Sequence, residues 1–193
     1  MKTNVALWAV VGSMVLLGGM WARAAEDEGR PAELKVLDRW VGDWDLEITV
    51  KPGPASPEGS KSTYKSVVRR AINDRFIKGE SEGSGVAGER KFADGFLWMC
   101  TYDLSSKTYK STVCWSTVEG GKAGFWGMMP VGTGTWDEKE QTMSIRTEDK
   151  DTGTLSISVT QWMDKDTHRF VQSITEKNGK VVLEMSGMAK RRK

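Results

Sequence analysis

Apolar and polar residues alternate strictly from Asp43 to Val50: Trp44, Leu46, Ile48 and Val50 share one face, Asp43, Asp45, Glu47 and Thr49 the other. A period of two sustained over this length predicts a half-buried antiparallel strand. Just upstream, Leu34, Leu37, Trp40 and Val41 recur at spacings of three and four. That spacing predicts a short helix over Ala32–Val41, with Pro31 suited to begin it and Gly42 to end it.

The remainder reads as strands and turns. Three prolines and two glycines make 51–60 a loop. Strands are expected over Lys61–Ala71, Arg75–Ser84, Lys91–Tyr102, Tyr109–Thr117, Ala123–Met129, Thr142–Glu148, Thr154–Trp162, His168–Thr175 and Val181–Ala189. Gly83, Gly85 and Gly88 break the third connection, and Pro130–Gly134 reads as a further break before Trp136. Lys177-Asn178-Gly179-Lys180 is a strong hairpin signal. Regular turns without intervening helices predict an all-β domain over residues 32–193. Its expected form is a closed antiparallel up-and-down β-barrel of about ten strands, with a short N-terminal helix before strand 1. Closing the meander removes the exposed edges that would otherwise invite aggregation.

Pairing Asp103 with Thr108 around the turn at 104–107 sets the register of two long strands. Trp98 then faces Val113 and Phe96 faces Trp115, with Phe92, Phe96, Trp98, Cys100 and Tyr102 on one side. The same register sends Cys100 and Cys114 to opposite faces of the sheet, too far apart for a disulfide, so two free thiols are expected. A register slipped by one residue would allow a diagonal bridge.

The first 24 residues have the organisation of a secretory signal. Lys2 supplies the positive start, Val5–Met20 is apolar apart from Ser13, and Ala22-Arg23-Ala24 places the cut before Ala25. The apolar run is short for a membrane span, which needs roughly 20 residues. An uncleaved anchor is the alternative. The expected product is a periplasmic or extracellular chain without stable membrane insertion, beginning with a charged linker at 25–31. Lys2 and Arg23 leave with the signal, so the formal charge of +2 falls to zero. A neutral chain of interspersed signs has no electrostatic footprint for nucleic acid. The terminal cluster Lys190-Arg191-Arg192-Lys193 reads as a solvated tail.

Residues suited to catalytic chemistry are sparse. His168 is the single histidine, and with two distant cysteines it makes no metal set. It follows the acidic turn Asp164-Lys165-Asp166, which predicts a solvent-facing position. No Gly-x-Ser-x-Gly elbow or phosphate-binding loop occurs. The carboxylate pairs Asp43/Asp45, Glu80/Glu82, Asp149/Asp151 and Asp164/Asp166 fall on outward faces or in turns. No cofactor is expected.

Tryptophan is the compositional anomaly. Seven indoles follow the signal segment, at positions 40, 44, 98, 115, 126, 136 and 162. One reading is that they fill a solid barrel that serves as a cell-envelope interaction module. The other is that Trp44, Phe96, Trp98, Tyr102, Trp115 and Trp126 line a pocket for a small apolar or amphipathic ligand. In that reading Tyr102 is the polar handle, Phe125, Trp126 and Met128 stand at the mouth, and Gly79–Gly88 is a flexible lid. A haem-binding or enzymatic barrel built on His168 is a third, weaker reading.

Several segments together resemble a known family. They are Leu37-x-x-Trp40-Val41-Gly42-Asp43-Trp44-Asp45, Lys51-Pro52-Gly53-Pro54, Thr101-Tyr102-Asp103, Gly134-Thr135-Trp136-Asp137, Asp166-Thr167-His168-Arg169-Phe170 and the closing Ala189-Lys190-Arg191. In this order they resemble an exported bacterial family catalogued as a domain of unknown function, family fifteen-seventy-nine. That resemblance spans most of residues 33–191 and implies a lipocalin-like, calycin-type barrel with no assigned activity. Gly42-x-Trp44 also resembles the first-strand signature of lipocalins, in which a basic residue of the last strand packs across the tryptophan ring. Arg191 is the candidate for that role, or else a solvated tail residue. Nitrobindin-like barrels bind haem through a histidine on a late strand, whereas the closing strand here has none.

Overall fold

The computed structural model describes residues 30–119 and 122–193, and only the backbone of Glu119, Ala123, Phe125 and Trp126. The signal segment and most of the linker lie outside the described residues. Two units are present, one ending at Val36 and one spanning Leu37–Lys193. The first contains the helix α1 (Ala32–Val36), where the Leu34 amide donates to the Pro31 carbonyl at 3.0 Å. The helical segment is shorter than its spacing predicts. From Leu37 to Arg39 the backbone tightens to a 3₁₀ turn, a common way to end a helix.

The second unit is a barrel of β1 (Gly42–Val50), β2 (Ser60–Ala71), β3 (Phe76–Ala87), β4 (Arg90–Asp103), β5 (Thr108–Glu119), β6 (Lys122–Met128), β7 (Gly132–Asp137), β8 (Thr142–Asp149), β9 (Thr154–Trp162), β10 (Thr167–Thr175) and β11 (Val181–Arg191). Every pairing is antiparallel. Ten strands close the ring, β4 joining β5 and β11 returning to β1. β6 stands outside the sequence of the ring. It folds back on the far part of β5, while β7 takes the near part, Tyr109–Ser111. Among the described residues β6 pairs with β5 alone, and β8 beyond Arg146 pairs with β9 alone. The wall therefore carries a seam between β6 and the far end of β8.

The expected register of β4 and β5 is observed: Asp103 opposite Thr108, Trp98 opposite Val113, Phe96 opposite Trp115. Cys100 is buried and Cys114 half-buried, and both thiols are free. Two segments depart from the reading of the sequence. The glycine-rich stretch expected as a flexible lid is a continuous strand, paired on both edges by β2 and β4. Likewise Gly132 and Gly134 open β7 rather than break the chain.

The glycines of β3 have a steric cause. A Cβ at Gly79 would overlap the Trp98 indole, one at Gly83 the Tyr64 ring, and one at Gly85 the Phe92 ring. Large rings from the neighbouring strands thus crowd against β3, an approach that only glycine permits. Gly134 makes the same allowance for Ile145.

Candidate functional site

One end of the barrel is sealed by aromatic rings. Trp44 is 1% exposed and donates its indole N–H to the Trp40 carbonyl at 2.7 Å. Trp162 meets Trp40 edge-on at 5.2 Å between centroids and Trp44 at 5.6 Å. Arg191 is no solvated tail residue. Its guanidinium lies 4.2 Å from the Trp44 ring centroid, donates to the Val41 and Arg39 carbonyls, and pairs with Asp166 at 3.1 Å. Gly42 makes this possible. Its φ of 145° lies in the region that favours glycine, and a Cβ there would collide with the guanidinium. The Gly-x-Trp pattern is thus the seat for an arginine that returns on the last strand.

His168 corrects the expectation drawn from its acidic turn. It is 8% exposed and packs 4.6 Å from Trp162, 5.0 Å from Trp44 and 6.5 Å from Trp40. The cause is strand parity: on β10, His168, Phe170, Gln172 and Ile174 all point into the barrel. Burial first, and the Arg191 charge second, push its imidazole down to about 4. Its Nδ1 is buried with no hydrogen-bond partner.

Beyond this seal lies an internal cavity of about 540 Å³. Its walls carry Leu46 and Ile48 from β1, Phe96 and Trp98 from β4, Trp115 from β5 and Met185 from β11. Val50, Phe92, Ile174 and Leu183 line it toward the opposite end, and Met129, Pro130 and Thr147 line it near the seam. The volume falls within the range of small-molecule sites, about 300–1,000 Å³. A second depression, over the turns at 150–153 and 176–179, is open and polar and belongs to the outer surface.

Of the residues singled out from sequence, Phe96, Trp98 and Trp115 line the cavity together, and Trp44 forms its floor. Tyr102 is not among the lining residues; it packs against Tyr109 at 5.1 Å. The side chains of Trp126 and Phe125 lie outside the described part of the structure. Met128 is 68% exposed and faces away, while its neighbour Met129 lines the cavity.

The polar residues of the interior escaped the sequence reading. Tyr64, not Tyr102, is the tyrosine of the cavity. Its hydroxyl donates to Asp94 Oδ2 at 2.8 Å, and its ring meets Phe96 at 5.3 Å. Asp94 Oδ1 is buried and has no partner. Burial holds the Asp94 carboxyl above the usual carboxylate range, partly offset by the Tyr64 hydrogen bond. Burial likewise pushes the Tyr64 phenol up. Across the interior, Gln172 donates to Ser156 Oγ at 2.8 Å, and Ser81 donates to Ser66 at the same distance. The signal for Asp94 was available: it shares parity with Phe92, Phe96 and Trp98. Among the described residues no group of three His, Cys, Asp or Glu is placed to hold a metal ion.

The architecture has counterparts among solved structures. An S-type phycobiliprotein lyase from Guillardia theta superposes with a TM-score of 0.58 at 14% identity, over 86% of this chain and 96% of that one. The protein Rv2717c from M. tuberculosis gives 0.52 at 10% identity, over 84% and 99%. At these identities the likeness concerns the fold, a lipocalin-like, calycin-type barrel. No curated protein matches the chain. Residues 30–191 match one family model throughout, and the chain belongs to that family, described as a protein of unknown function (DUF1579).

Proposed function

We propose that this chain is an exported, non-catalytic container that holds a small apolar or amphipathic molecule inside its barrel. The observation that carries the reading is the cavity of about 540 Å³ walled by Phe96, Trp98, Trp115 and aliphatic side chains. A barrel used only as a solid interaction module has no reason to keep such a volume, because an unfilled apolar interior forfeits packing contacts. The name of the Guillardia theta relative, a phycobiliprotein lyase, is compatible with this fold serving a protein that handles another molecule. His168 has three indoles around its ring, a setting suited to packing rather than to proton transfer.

The reading is tested by titrating the intrinsic tryptophan fluorescence with medium-chain alkanols, fatty acids and a porphyrin. Trp98 and Trp115 lie in the cavity wall, so an occupant should quench or shift their emission saturably. Substituting Trp98 by Phe should reduce that response. A flat titration with all three classes would refute the container.

A further inference from the structure

The cavity is lined almost wholly by uncharged groups, with one acidic exception. Asp94 sits on β4 between the rings of Phe92 and Phe96 in strand parity, with its carboxylate on the lining of the cavity. One oxygen receives the Tyr64 hydroxyl; the other is buried and unpartnered. No lysine or arginine is among the described residues that line the cavity. The residue as a whole is half-buried, and its carboxylate makes a single hydrogen bond. Even a half-buried charge without a counter-charge costs the fold part of its hydration. The surrounding chain offers no reason for an acid at this position, since asparagine would serve Tyr64 equally well by accepting its hydroxyl.

We infer that Asp94 is the recognition point for a cationic amphiphile, a molecule with a protonated amine head and an apolar tail. This rests on the container reading and specifies its ligand. The ammonium pairs with the Asp94 carboxylate, for which the cavity lining supplies no cation. Tyr64 fixes the carboxylate through Oδ2 on the wall of the cavity. The tail lies against Phe96, Trp98 and Trp115. A fatty acid of the same length brings a second negative charge into the same space and is rejected. Charge sign, rather than tail length, therefore decides what the barrel accepts.

The experiment compares three ten-carbon probes, decylamine, decanol and decanoate, on the full chain at neutral pH. Binding is read by tryptophan fluorescence and by calorimetry. Decylamine should bind about tenfold more tightly than decanol, the gain expected of a charge-assisted hydrogen bond to a buried acceptor, and decanoate more weakly than decanol. Asp94→Asn should bring the three affinities within about threefold of one another, since the charged acceptor is gone. Tyr64→Phe keeps the carboxylate and should keep the preference, which covers the case in which Asp94→Asn fails to fold. If decanol binds and decylamine binds no better, the container stands and the charge inference falls. If decylamine keeps its advantage in a folded Asp94→Asn chain, the inference also falls. If none of the three binds, container and inference fall together.

Discussion

Acidification should loosen the sealed end of the barrel through His168. The imidazole is 8% exposed, ringed by three indoles, and leaves Nδ1 without a partner. Each of these disfavours the imidazolium, as does the nearby Arg191 charge, and the folded-state pKa falls to about 4 from an ordinary 6.5. A depressed pKa means that the unfolded chain takes up the proton first. The stability that His168 contributes is thus whole above pH 6.5, declines as the pH falls through 6.5, and stops declining below pH 4. At pH 5 the unfolded histidine is almost fully protonated and the folded one about one-tenth so, a difference of about 2 kcal/mol relative to pH 7.5. Urea unfolding of the chain and of His168→Gln at both pH values isolates the effect. Contributions common to the two proteins cancel in the comparison. The unsubstituted chain should lose about 2 kcal/mol more than the variant on going to pH 5. Equal losses, within about 0.5 kcal/mol, would mean that the imidazole is not buried in its neutral form and that the sealed end is wrongly described.

Three other outcomes follow from named contacts. Arg191→Ala removes the guanidinium from the Trp44 face and strips the Val41 and Arg39 carbonyls of their donor; equilibrium unfolding should show a loss of about 2–3 kcal/mol, and Arg191→Lys should recover less than half of it. Gly79→Ala places a methyl group against the Trp98 indole; near-UV circular dichroism should change and stability should fall by about 1–3 kcal/mol, whereas an unaltered spectrum would contradict the ring-over-glycine packing. A thiol reagent should label Cys114 in the native chain and Cys100 only after unfolding, because Cys100 is 5% exposed and burial pushes its thiol up to about 12.

The strands whose residues alternate cleanly were legible in the sequence. Trp44–Val50 and the β4–β5 hairpin are set by local pattern and turn geometry, so their register followed from residues a few positions apart. What escaped the pattern depends on neighbours distant in sequence. The β3 glycines look like chain breakers until Trp98, Tyr64 and Phe92 are seen to cross them. β7 was hidden for the same reason, with Gly134 lying under Ile145. His168 was misplaced because an adjacent acidic turn outweighed its parity with Phe170. For the candidate site, the aromatic wall of Phe96, Trp98 and Trp115 was visible as a period of two. Asp94 shares that period of two, but an acid inside an aromatic stripe reads locally as solvated rather than as part of the wall.

The row formed by Gly79, Gly83 and Gly85 means that the capacity of the lumen is governed by a strand that gives it almost no side chain of its own. One added carbon at Gly79 would press on the Trp98 indole and narrow the space, whereas one at Gly83 or Gly85 would also meet the β2 carbonyl of Thr63 or Lys61 and disturb the ladder. Related barrels of this build can therefore be retailored to slimmer guests at the position of Gly79, without exchanging a single aromatic residue.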